Sequence, residues 1–418
     1  MQTLSQLHSG ALKGIKKLTL SENLLSFPLD ILSLADSLEV LDLSNNQLSE
    51  LPEALAQLPK LKILFASNNR FTQLPEVLGC CDQLEMVVFK SNQIDTVSEN
   101  ALPPKLRWFV LTDNQVHTLP DALGERTRLQ KLALAGNRIT ALPPTMAQLS
   151  NLELIRISAN QLSECPEQLL DLPKLAWIAF AGNPFSQSLD KTPDIPELPS
   201  SSYTLQDILG QGASGVISSA RWNTPQNNFP EKIAVKVFKG QVTSDGYPKD
   251  ELNACLKTGD HPNLVQSLAQ VNEEDCLALI MNLIPAHYRN LGLPPSLSSC
   301  TRDTFPEGFS LAIQTIEKIV FQIKAVFAHL HTNKVCHGDL YAHNTLYDAL
   351  DNDNAHILFG DFGAASMYHM LTAQQQIKIQ AIEQRALNYF IDDLLSICAI
   401  EDKTSKQYQS LLAGISQA

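Results

Sequence analysis

The sequence predicts an α/β repeat solenoid followed by a bilobal α+β domain. Asparagines recur through the first half at a step of 23 residues, with one step of 22. A glycine-rich turn at Gly210, Gly212 and Gly215 precedes a β-branched run that carries Lys236. Farther on, Asp339, Asn344 and Asp361 cluster between Cys336 and Gly363, behind an apolar-periodic helix.

Length and composition set the frame. A chain of 418 residues suits two domains better than one. The expected division is a solenoid over 1–186, a linker over 187–202 and a second domain over 203–418. Hydrophobic residues make up 44% and charged residues 18%, the balance of a globular chain with sizeable cores. A net charge of −13 argues against nucleic acid or an anionic membrane as the main partner. The stretch from Met1 to His8 lacks a basic start and an apolar run, so no signal peptide is expected. Nor is any segment apolar for the length of a membrane span. The 8 cysteines are scattered, and the adjacent Cys80 and Cys81 lack metal-ligand spacing. A reduced cytoplasmic setting is expected.

The solenoid rests on Asn23, Asn46, Asn69, Asn92, Asn114, Asn137, Asn160 and Asn183 and the frame around them. Leu38, Leu41, Leu43, Asn46, Leu48, Leu51 and Pro52 recur as Leu129, Leu132, Leu134, Asn137, Ile139, Leu142 and Pro143. In the first unit Phe27 and Pro28 come one residue early, as terminal repeats tolerate. This frame resembles the leucine-rich repeat family, with 8 units over roughly residues 15–185. One unit cannot bury its own apolar face, so neighbours stack. Each asparagine is expected to be buried at the turn after its strand, where its amide serves backbone groups of adjacent coils. These asparagines are structural, not catalytic.

Strand residues between the inward leucines form two columns on the concave face. One runs through Ile63, Met86, Trp108 and on to Trp177, the other through Phe65, Val88 and Val110. The central units are thus expected to expose Ile63, Phe65, Met86, Val88, Trp108 and Val110 together, as a patch that binds a protein partner or the chain's own second domain. The other reading is that some of these side chains pack on one another.

In the second half, Gly-x-Gly-x-x-Gly alone suits a dinucleotide site as well as any other phosphate-binding turn. The run Ile233 to Phe238 around Lys236 decides it. With His337-Gly338-Asp339, Asn344 and Asp361-Phe362-Gly363 in that order, the set resembles the protein kinase family. The whole chain looks like the soluble bacterial proteins that join leucine-rich repeats to a kinase.

The resemblance implies roles, with ATP and Mg2+ as cofactors. Gly210, Gly212 and Gly215 would cradle phosphates, Lys236 would reach the α- and β-phosphates, and Ile217 and Ala234 would flank adenine. Glu251 is the expected ion-pair partner of Lys236, with Asp250 as its competitor. Met281 would guard the back of the adenine pocket, and backbone groups of Asn282 and Leu283 or Ile284 would bond the base. Asp339 would orient or deprotonate the acceptor hydroxyl, while Asn344 and Asp361 hold metal. His337 would bond the Asp-Phe-Gly backbone.

Four departures stand out. Gly338 replaces the arginine that normally receives an activation-loop phosphate. Tyr341 stands where serine/threonine kinases place a lysine, and His343 where many tyrosine kinases carry arginine. A polar insert from Asp348 to Asn354 suggests a longer hairpin. No Ala-Pro-Glu follows Gly363; instead Ile382 to Leu387 looks like the start of the central helix, with Glu383 in place of its anchoring aspartate. Ser366, Tyr368 and Thr372 are candidate autophosphorylation sites. The expected activity is phosphoryl transfer to protein hydroxyls, Ser/Thr ahead of Tyr. A nucleotide-binding pseudokinase scaffold and a small-molecule phosphotransferase are the alternatives.

Overall fold

The computed structural model describes residues 2–187, 195–212, 214–226, 229–240, 242–350 and 355–416. Part of the linker (188–194), most of the polar insert (351–354) and Ala213 in the glycine-rich turn lie outside the described residues. The architecture is the expected one, a parallel-stranded solenoid and then an α+β domain with an antiparallel sheet. By contacts the chain forms two compact units, Met1–Leu175 with Asn183–Phe185, and Ala176–Gly182 with Ser186–Ala418.

In the first unit, α1 (Leu4–His8) opens on a capping box at Thr3. Seven three-residue strands follow: β1 (Lys17–Thr19), β2 (Val40–Asp42), β3 (Ile63–Phe65), β4 (Met86–Val88), β5 (Trp108–Val110), β6 (Lys131–Ala133) and β7 (Leu154–Arg156). Each pairs in parallel with the next, placing Lys17, Val40, Ile63, Met86, Trp108, Lys131 and Leu154 in one row. Their central residues, from Leu18 to Ile155, are fully buried. A short helix, α2 (Glu167–Leu170), forms the last convex turn.

The asparagine ladder forms from the second repeat onward. Asn137 donates to Leu111 O and Leu134 O at 2.9 Å each, and its Oδ1 accepts the Val116 amide at 3.0 Å. Asn46, Asn69, Asn114, Asn160 and Asn183 are buried likewise, and Asn92 is half-buried. Asn23 is not a ladder member: it is exposed. The first turn is one residue shorter, and Asn23 itself is left-handed at φ 56°, the conformation that Asn45, Asn68 and Gly136 take one residue before their ladder asparagines. There the side chain points away from the core.

The concave patch is smaller than expected. Met86 and Val88 are buried at 8% and 9% exposure, and Ile63, Phe65, Trp108 and Val110 are half-buried. In-register stacking is the cause, because each β4 side chain lies between counterparts from β3 and β5. Trp108 also lies under the Lys131 ammonium, 4.9 Å from the ring centre.

The second unit begins with β8 (Trp177–Ala179). Next come β9 (Tyr203–Gln211), β10 (Gly215–Trp222), β11 (Lys232–Phe238), α3 (Pro248–Thr258), β12 (Ser267–Glu273) and β13 (Cys276–Asn282), with sheet order β12-β13-β11-β10-β9. The described end of the linker is not free: Leu198 donates to Gln270 O, and Gln270 to Pro196 O, both at 2.9 Å. A small sheet joins β14 (Tyr288–Asn290) to β16 (Thr345–Asp348) and β17 (Ile357–Phe359), and β15 (Val335–Cys336) pairs β18 (Ser366–Met367). The helix α4 (Ile313–Thr332) delivers the catalytic loop, its buried face formed by Ile316, Ile319, Val320, Ile323 and Val326. The long helix α5 (Ala373–Ser396) starts nine residues before the expected Ile382, because Thr372 and Gln375 form a capping box there. A final helix, α6 (Lys406–Ser416), follows. No helix of the described residues is long and apolar enough to cross a membrane.

Candidate active site

Strand β11 carries Lys236 inward, and α3 places Glu251 against it in a buried ion pair. The competitor Asp250 makes no such pair. Its Oδ2 is buried with no hydrogen-bond partner among the described residues, and burial pushes its carboxyl up to about 6. Burial pulls the Lys236 ammonium down, but the carboxylates of Glu251 and Asp361 outweigh that and hold it above its ordinary value. The Asp361 carboxylate lies 4.0 Å from Lys236 Nζ.

Asp361 itself adopts a left-handed backbone, φ 60°, which aspartate tolerates better than most residues. Its side chain stays 58% exposed while the next residue, Phe362, is buried beside His337 with ring centres 5.0 Å apart. His337 is fully buried, and burial keeps its imidazole below the ordinary value and therefore neutral. A neutral ring offers one donor and one acceptor. Nε2 donates to Gly360 O at 3.1 Å and Nδ1 accepts the Asp339 amide at 3.3 Å. His337 thus ties the catalytic loop to the residue before Asp361, its expected structural role.

The Asn344 amide donates to Asp339 Oδ2 at 2.8 Å and to Asp339 O at 3.1 Å. This locks the Asp339 carboxylate and leaves Asn344 Oδ1 without a hydrogen bond among the described residues. No cluster of three or more His, Cys, Asp or Glu that could hold a metal occurs there either. A cation here would rest on Asp361, Asn344 Oδ1 and phosphate oxygens. That sparse oxygen set fits magnesium, which keeps most of its water.

The adenine-side residues share one apolar cluster: Ala234 and Met281 pack with Leu279 and Leu252, and Ile217 and Leu283 lie against it. The Asn282 N–H donates to Gln266 O at 3.0 Å, so of its backbone groups the carbonyl is the one left for a base. Leu283 and Ile284 make no backbone hydrogen bond among the described residues and are also open to a base. In the glycine-rich turn, a Cβ at Gly215 would come 2.5 Å from Val237 O, so β11 itself requires glycine there. A Cβ at Gly210 or Gly212 would meet nothing within 4 Å. The fold does not demand glycine at those two positions.

Glu383 is fully buried on α5; its Oε1 accepts the His337 amide at 2.7 Å and the Gly338 amide at 3.4 Å, and its Oε2 meets His331 Nε2 at 2.8 Å. It anchors the loop as expected. Sequence reasoning missed Asp303, which accepts the Ala342 amide at 2.7 Å and lies 3.3 Å from His343 Nδ1. It also missed Arg302, which holds Asp392 and Asp393 at 2.6 Å each. Both lie in an irregular stretch without periodicity, where no local signal marks them. Ser366 and Tyr368 are fully buried, which removes them as accessible phosphorylation sites in this conformation. Thr372 is exposed, but its hydroxyl caps α5.

Comparison with known proteins agrees with these halves. The model of the protein tyrosine and serine/threonine kinase family matches residues 203–389. Two leucine-rich repeat models match residues 36–79 and 127–185. A probable serine/threonine-protein kinase of Dictyostelium discoideum is 26% identical over 36% of this chain and 8% of its own length. A probable myosin light chain kinase of the same organism is 23% identical over 40% of this chain and 48% of its own. A tyrosine-protein kinase receptor of Gallus gallus is 25% identical over 40% and 19%. The chain therefore spans less than half the length of each of these relatives. A leucine-rich-repeat protein of Leptospira interrogans aligns at 27% identity over 41% of this chain and 50% of its own, with a TM-score of 0.35.

Proposed function

We propose that this chain, which carries leucine-rich repeats and a protein kinase domain, transfers the γ-phosphoryl group of ATP to a protein hydroxyl, serine or threonine ahead of tyrosine. The observation that carries the reading is the convergence of Lys236, Glu251 and Asp361, with His337 tying the residue before Asp361 to the loop of the locked Asp339–Asn344 pair. In this reading Lys236 holds the α- and β-phosphates, Leu283 and Ile284 bond adenine, and Asp339 orients the acceptor hydroxyl and takes its proton. Asp361 and Asn344 would hold magnesium, which would supply neutralisation of the phosphate charge. Positioning and electrostatics carry such catalysis. Incubation with labelled ATP and magnesium, with and without a protein lysate, tests the reading. Label on protein supports it, and hydrolysis of the product reveals the acceptor residue. Label on small molecules alone supports the phosphotransferase alternative. Absence of label supports a nucleotide-binding scaffold, which the tyrosine at 341, where a lysine would face the γ-phosphate, also favours.

The open space around Gly210 and Gly212 supports their role as phosphate cradles, since only a bound group makes glycine necessary there. Gly212→Val should leave the melting temperature unchanged and raise KM for ATP about tenfold, near 1.4 kcal/mol of lost binding. An unchanged KM removes the glycine-rich turn from the site.

The protein partner is proposed to bind the remaining concave surface, which Ile63, Phe65, Trp108 and Val110 still share in part. Phe65→Ser combined with Trp108→Ser is expected to abolish capture of proteins that the unaltered chain retains. Undiminished capture excludes this patch.

A further inference from the structure

We propose that the segment Ala176–Gly182 is a positioning element of the catalytic site, holding the catalytic loop and the stretch after Asp-Phe-Gly without a phosphate. The inference rests on the phosphotransfer reading above.

The repeat pattern places Trp177 on an open concave column, yet it is 1% exposed. Its indole N–H donates to Leu340 O at 3.0 Å, the carbonyl next to Asp339. Its ring stacks on Tyr341 at 5.0 Å and 5° and on Tyr389 of α5 at 5.4 Å and 13°. One side chain thereby grips both sides of the Leu340–Tyr341 peptide. Tyr341, at the position of the missing lysine, is spent on this stack.

The backbone of the same strand completes the grip. Gly338 is left-handed, φ 70°, and a Cβ there would fall 2.4 Å from Ile178 O and 3.0 Å from Ala364 O. The loss of arginine at 338 thus has a steric cause: the strand occupies the space its side chain would need. Three residues beyond Gly363, Ser366 Oγ accepts the Phe180 amide at 2.8 Å and the Ala181 amide at 3.0 Å. Ser366 is fully buried and lies in the β15–β18 pair, which also contains Cys336. An arginine–phosphate contact would order these two stretches by charge. Here an aromatic stack and three hydrogen bonds perform that task. The order is therefore constitutive.

The test uses the full chain and two readouts, amide hydrogen exchange and steady-state transfer. Ser366→Ala deletes one acceptor with little change of volume. It should speed exchange at 180–181 and 338–344 at least about tenfold. It should also lower kcat at least about fivefold with KM for ATP unchanged. Trp177→Ala should do more, and Trp177→Phe, which keeps a stacked ring, should recover much of the loss. Treatment of the unaltered chain with a phosphatase should leave kcat unchanged. Unaltered protection at 338–344 in both Ser366→Ala and a still-folded Trp177→Ala overturns the proposal, as does a phosphatase-sensitive kcat. If the unaltered chain transfers no phosphate, the phosphotransfer reading fails separately, and the exchange data still decide whether this segment holds the loop.

Discussion

Asp339→Asn should lose about 10²–10⁴ of the transfer rate, the span that a positioned proton acceptor contributes, while ATP still binds. The amide keeps the shape and can still meet Asn344, so the loss is chemical and the fold stands. Lys236→Met behaves differently. It removes the cation from a buried pair, raises KM for ATP as well as lowering kcat, and leaves Glu251 buried without its partner, a change that costs about 3–5 kcal/mol when the orphan stays charged. Glu251 is already pushed up by burial and can escape part of that cost by taking a proton. Radiolabel transfer measured beside nucleotide binding separates the two variants. Wild-type transfer by Asp339→Asn would remove the aspartate from the chemistry and with it the proposed mechanism.

The second large effect concerns stability. Asn137→Ala orphans the Val116 amide in the solenoid interior and removes one of two donors from Leu111 O and Leu134 O, which keep Asn114 and Asn160. At about 1–3 kcal/mol for the stranded amide, with a smaller loss from the two weakened carbonyls, the change is roughly 2–3 kcal/mol. Asn23→Ala, at an exposed turn, should stay within about 0.5 kcal/mol. Urea unfolding followed by far-ultraviolet circular dichroism measures both, with the earliest transition assigned to the repeats, because stacked units need not melt with the rest. Equal losses for the two asparagines would refute the ladder as the source of the stability.

The contrast between these asparagines shows what a sequence can and cannot convey. Periodicity marks every unit, and it locates Asn137 correctly because repeated contacts leave repeated residues. The early Phe27 and Pro28 mark the first turn as one residue shorter, but they do not show that the shortening turns Asn23 outward. Alternation likewise finds which strand residues leave the core, but whether Met86 and Val88 then meet solvent depends on the bulk of neighbours one coil away. In the second half, Lys236, Glu251, Asp339, Asn344 and Asp361 were legible because chemistry fixes their types and order. Asp303 and Arg302 were not: Asp303 holds a backbone amide and Arg302 two carboxylates on a distant helix, and many residues at many distances can do either. Ser366 and Tyr368 looked accessible in sequence because a segment rich in hydroxyls resembles a solvated loop. Their burial follows from tertiary packing alone.

Glu383 carries one more consequence. Its carboxylate reaches from the middle of α5 to two successive amides of the catalytic loop, whereas the family's usual aspartate is one methylene shorter. The distance between helix and loop is therefore tuned to the longer arm. In any chimaera with a conventional kinase, this loop and this helix travel as a matched set; exchanging either alone would leave the two amides beyond reach or crowd the carboxylate against them.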